Sequence, residues 1–85
     1  MYEIEVTVTT YTPEELKLTA DWPLSWLEAP GSIEILHKLF PGEIVPPLNE
    51  SVKRSEFPVN QSLRLDLQLG DRVLVRCFLK GESLD

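Results

Sequence analysis

Eighty-five residues carry a net charge of −6, and 42% of them are hydrophobic against 26% charged. These are globular proportions, which exclude a disordered tail, and the length suits one domain over residues 1–85, near the lower limit of a self-sufficient core. A single cysteine, Cys77, excludes an internal disulfide and a cysteine-rich metal site.

The charge is unevenly spread. Residues 1–37 hold seven acids against one base, Lys17, whereas seven acids balance seven bases from residue 38 onward. An acidic first half argues against nucleic acid as a partner, because phosphate binding needs clustered Lys and Arg. It permits electrostatic steering toward a protein with a basic surface. The start, Met1-Tyr2-Glu3-Ile4-Glu5, lacks the basic and apolar regions of a signal peptide. No apolar run approaches the roughly 20 residues of a membrane span. The expectation is a cytoplasmic protein without membrane contact, in which Asn49-Glu50-Ser51 and Asn60-Gln61-Ser62 are chance matches to the glycosylation triplet.

Residues 2–11 alternate, with Tyr2, Ile4, Val6 and Val8 on one face and Glu3, Glu5, Thr7 and Thr9 on the other. Rich in β-branched residues, they predict a strand. Thr12-Pro13-Glu14-Glu15 breaks the pattern, and Leu16, Leu18 and Ala20 resume it, so residues 2–20 read as a hairpin. Residues 21–28 fit two readings. Asp21 as an N-cap with Pro23 in the first turn gives a short helix, while Trp22, Leu24 and Trp26 alternate as in a strand. Both tryptophans belong in the core or at its edge.

Residues 32–40 predict the main helix. Ser32 is a natural N-cap, Glu34 sits in the first turn, His37 and Lys38 lie near the end, and Pro41-Gly42 stops it. Ile33, Leu36 and Phe40 form its apolar stripe. His37, the sole histidine, has no second ligand or nucleophile beside it in the sequence, so it reads as a surface residue near the helix end. Residues 43–61 read as loop with brief strands at Glu43-Ile44-Val45 and at 51–54, and Pro46, Pro47 and Pro58 exclude a long central strand.

Residues 62–80 are the most regular stretch. Leu63, Leu65, Leu67 and Leu69 share one face of a strand. Gly70-Asp71 supplies a turn, and Val73, Val75, Cys77 and Leu79 then alternate with Leu74, Arg76 and Phe78. Cys77, among valines, reads as a buried, inert thiol. Residues 81–85 read as a frayed tail.

Pro30-Gly31-Ser32-Ile33, the helix that follows, Pro58-Val59-Asn60 and Leu67-Gln68-Leu69-Gly70-Asp71-Arg72-Val73 together resemble the small sulfur-carrier proteins of the thiamine and molybdopterin pathways. That resemblance implies a β-grasp, ubiquitin-like domain. Those carriers end in the Gly-Gly that is adenylated and thiolated, whereas here the sequence reads Lys80-Gly81-Glu82-Ser83-Leu84-Asp85, so the resemblance implies the architecture without the carrier chemistry. Thr12-Pro13-Glu14, Pro30-Gly31, Ile35-Leu36-His37 and Pro46 also resemble the β-sandwich of the ATP synthase epsilon subunit.

The expected fold is therefore α+β, a single β-grasp-like domain with a mixed sheet and one main helix packed across it. In such a domain the first and last strands are neighbours, which places Glu3 and Glu5 on an outer face with Leu74, Arg76 and Phe78. These five residues are the expected partner-binding set, an apolar patch rimmed by charge. The expected function is a non-catalytic protein–protein interaction module (adaptor, small subunit or inhibitor), with no cofactor, metal or catalytic group. The alternatives are a degenerate carrier or an ATP synthase epsilon-like β-sandwich subunit.

Overall fold

A computed structural model describes residues 2–27, 31–51, 54–58 and 66–79. Among these, five strands form one sheet: β1 (Tyr2–Tyr11), β2 (Leu16–Ala20), β3 (Ile33–Lys38), β4 (Ser55–Pro58) and β5 (Arg72–Cys77). Their order is β3-β5-β1-β2-β4, and every neighbouring pair is antiparallel.

β1 and β2 form the expected hairpin. Its loop is closed by the Thr12 amide donating to the Glu15 carbonyl at 2.9 Å, while the Thr12 hydroxyl accepts from the amides of Glu14 and Glu15. A threonine hydroxyl binding amides two and three residues on stabilises the turn without any distant contact. Thr9 is an extra residue in β1, since Val8 faces Leu18 and Thr10 faces Lys17. The bulge keeps Tyr11 on the core side and turns the hydroxyls of both Thr9 and Thr10 toward Glu56 of β4.

The α+β expectation is corrected. Residues 33–38 are a strand, the sheet is wholly antiparallel, and the one helical segment among the described residues is the 3-10 turn Leu24–Leu27. Two physical reasons account for this. A nine-residue helix is marginal alone and must draw its stability from packing against other elements. As a strand, the same residues pair with the free edge of β5. Ile33 and Ile35 sit opposite Cys77 and Val75, Glu34 lies opposite Arg76, and a bulge at Leu36/His37 absorbs the change of register. The local sequence offered helix-capping residues, and the distant edge of β5 outweighed them.

One sheet face carries the core. Ile4, Val6, Val8, Leu16, Leu18, Ala20, Val73, Val75 and Cys77 are buried, with Trp22, Trp26 and Leu67 packed against them. The two-way reading of residues 21–28 resolves as the 3-10 turn, closed by the Trp26 amide on the Pro23 carbonyl. Trp22 and Trp26 stack with centroids 5.2 Å apart and Phe57 of β4 tilted against both. The segment from 43 to 48 contains no strand, and Ser51 only bridges Pro23. Leu67 is buried while Leu69 is 65% exposed in a turn, so these two do not share a strand face. Leu63, Leu65 and the expected tail at 81–85 lie outside the described residues.

Candidate functional site

The face opposite the core is a lattice of charge pairs rather than an apolar patch. The expected neighbourhood of β1 and β5 is present, with Glu3 facing Arg76 and Glu5 facing Leu74. Arg76 lies between two carboxylates, donating to Glu3 at 3.1 Å and to Glu34 of β3 at 3.3 Å. Arg72 donates through both Nε and Nη2 to Glu5, at 2.7 and 3.0 Å, and also to the Glu43 carbonyl at 2.8 Å. This bidentate hydrogen bond from Arg72 lowers the Glu5 carboxyl below its ordinary range and raises the guanidinium.

Four of the five expected partner-binding residues thus share this face, but its charged groups are engaged in ion pairs, Glu3 with Arg76 and Glu5 with Arg72. Leu74 is half-buried between the two arginine clusters. Phe78 is 5% exposed, beyond the end of β5, with its amide donating to the Ser32 carbonyl. A docking patch centred on Phe78 is not what the structure presents. Cys77 is fully buried, and loss of solvent pushes its thiol up to about 12, so it is protonated and unreactive at neutral pH. His37 lies 3.4 Å from the Glu43 carboxylate on the exposed side of β3.

A different surface stands out at one end of the sheet. Both β1 and β3 run antiparallel to β5, so their C-terminal ends lie beside its N-terminal end. Three turns lie at this end of the sheet: Phe40-Pro41-Gly42-Glu43 after β3, Gln68-Leu69-Gly70-Asp71 before β5, which bonds to Val8, and the hairpin loop at 12–15, further along β1. The first has Pro at its second position, Gly42 at φ +86° and the Glu43 amide on the Phe40 carbonyl at 3.0 Å, the arrangement of a type II turn. The second matches it, with Gly70 at φ +88° and the Asp71 amide on the Gln68 carbonyl.

Both turns are held by their own carboxylates. Glu43 accepts from the Phe40 amide at 3.0 Å and faces His37, contacts that lower its carboxyl. Asp71 accepts from the Gln68 amide at 2.8 Å and pairs with Lys38, whose ammonium also donates to the Asp66 carbonyl. Phe40 and Leu69, 73% and 65% exposed, stand on these pinned turns, and Ile44, 84% exposed, directly follows the first. The sequence signal was present in Leu39-Phe40-Pro41-Gly42-Glu43-Ile44, large apolar residues on either side of Pro-Gly. Assigning Phe40 to a helix stripe concealed it.

A concavity of about 150 Å³ beside Ile4, Glu5, Pro46 and Leu48 is smaller than the roughly 300–1,000 Å³ of small-molecule sites. A second depression, beside Tyr2 and residues 47–50, reaches about 510 Å³ but is broad and open to solvent. Among the described residues, no three His, Cys, Asp or Glu side chains are grouped to hold a metal ion, and no helix is long and apolar enough to cross a membrane. No family model, curated protein or solved structure matches the chain.

Proposed function

We propose that this protein is a non-catalytic interaction domain that binds another protein through the turn-bearing end of its sheet. The observation that carries this reading is the exposure of Phe40 and Leu69 on two type II-like turns, and of Ile44 directly after the first, braced by Glu43, Asp71, Lys38 and Arg72. Large apolar side chains left in water stabilise nothing in the isolated fold. Held on rigid turns, they lose little conformational freedom on binding, which is how anchor residues gain affinity. The face of β1 and β5 supports them from behind, since its charge pairs fix Arg72 and, through it, the Glu43 carbonyl.

Site-specific photocrosslinking in host cells tests this. A benzoylphenylalanine at position 40 should give discrete protein adducts, and the same probe at Thr19 on the charged face should not. Adding Ile44→Ser and Leu69→Ser should abolish the adducts at 40 without changing the melting temperature. Equal labelling from both positions, or none from position 40, would end the proposal.

A further inference from the structure

We infer that the partner presents an apolar socket bordered by lysine or arginine, into which the turn-bearing end docks as a plug with an acidic rim. The inference rests on the interaction reading above and adds the partner's chemistry. Among the described residues, the three turns and their flanks bring Glu14, Glu15, Glu43, Asp66 and Asp71 to the end that carries Phe40, Ile44 and Leu69, against Lys17, Lys38 and Arg72, the last of these paired with Glu5. Glu43 and Asp71 are turned into their own turns, so the hairpin loop with exposed Glu14 and Glu15 supplies the outward charge.

Charge decides between the possible occupants. A second copy of this chain would set one acidic rim against another, each on a molecule of net charge −6. Like charges brought together across an interface repel, which opposes self-association. Nucleic acid and anionic lipid are repelled for the same reason. A basic protein surface gains on both counts, with rim charges speeding encounter and the apolar side chains setting the lifetime of the complex.

The test uses the full chain, labelled with nitrogen-15, and three synthetic peptides of equal length: an amphipathic Leu/Lys peptide, its Leu/Glu counterpart, and a Ser/Lys peptide of the same charge as the first. The Leu/Lys peptide should bind at least about tenfold more tightly than either control, the factor that one well-buried anchor contributes. It should shift the amides of residues 39–44 and 68–71, lose at least about tenfold in affinity with the Phe40→Ser/Leu69→Ser variant, and weaken as salt screens the rim. Equal binding of Leu/Lys and Leu/Glu, lost in that variant, would overturn the basic-socket inference and leave the interaction reading standing. Equal binding of Leu/Lys and Ser/Lys, unaffected by the variant, would overturn both. A concentration-dependent dimer in sedimentation, abolished by Phe40→Ser/Leu69→Ser, would make a second copy the occupant and overturn the inference. Failure of all three peptides to bind would also overturn it, while the crosslinking result independently decides the reading beneath it.

Discussion

At Gly31 a Cβ atom would lie 1.6 Å from the Phe78 carbonyl oxygen and 2.7 Å from its carbon. Neither backbone can yield easily, because the Phe78 amide is bonded to the Ser32 carbonyl next door. Gly31→Ala should therefore cost at least about 2 kcal/mol by overpacking. At Gly42 nothing lies within 4 Å and only the positive φ resists a side chain, so Gly42→Ala should cost roughly 1–2 kcal/mol. Urea denaturation of both variants checks the order. The two tryptophans differ in the same instructive way. Trp22 donates its indole N–H to the Ser55 carbonyl at 2.9 Å, whereas the buried Trp26 Nε1 has no hydrogen-bond partner. Leaving a buried donor unpaired costs about 1–3 kcal/mol. Trp26→Phe removes that penalty along with some stacking area, and Trp22→Phe loses a satisfied bond, so the second substitution should destabilise more. Phe78→Ala should cost about 3–5 kcal/mol, as aromatic truncations in buried sites do. A thermal melt close to wild type would contradict the buried position of that ring.

At the scale of elements, two carboxylates join segments distant in sequence and a third closes a local turn. Glu5 ties β1 to Arg72 of β5, Glu43 ties the turn after β3 to His37, and Glu56 of β4 accepts from Thr9 and Thr10 of the β1 bulge. In each case the hydrogen bonds hold the carboxyl below its ordinary value: Arg72 for Glu5, the Phe40 amide for Glu43 and Thr9 for Glu56. The unfolded chain then binds more protons than the folded one in the acid range. Stability from these groups is fully present above the unfolded carboxylate value of about 4.3 and is lost as pH falls through the lower folded values. Denaturation midpoints should therefore hold steady near neutrality and decline below about pH 4.3. Glu5→Gln should flatten that acid limb, and an unchanged limb would place the linkage elsewhere.

For the whole molecule, the decisive feature is that β5 enters between β1 and β3, pairing Tyr2 with Cys77 at opposite ends of the described chain. Such pairing pays loop-closure entropy before any contact rewards it. Refolding is expected in the millisecond-to-second range of β proteins with non-local contacts rather than in microseconds, a difference that stopped-flow tryptophan fluorescence reads directly. The same architecture leaves Phe40 and Leu69 at the far end of the sheet, outside the core. Their replacement by Ser should move stability by no more than about 0.5 kcal/mol, as surface substitutions do. A larger loss would mean that these side chains support the fold.

The amino-acid order alone determined the β1–β2 hairpin, the turn at Gly70-Asp71 and the core side of β5, because strict alternation and positive-φ glycines act over a few neighbouring residues. Alternation also set Glu3 and Glu5 opposite the core side of β1, and Leu74 and Arg76 opposite that of β5, but only the pairing of the two strands makes these one face. The state of residues 33–38 was not legible locally. Ser32 and Glu34 suit a helix start, while the alternation of Ile33, Glu34 and Ile35 suits a strand, and the unpaired edge of β5, some forty residues away, decided between them. The candidate site followed from that decision. Once β3 is extended, the apolar stripe of the supposed helix no longer exists, and Phe40 passes from a core position to the tip of a turn. Exposure is set by which elements pack together, so a side chain's freedom to meet a partner is a property of the tertiary structure.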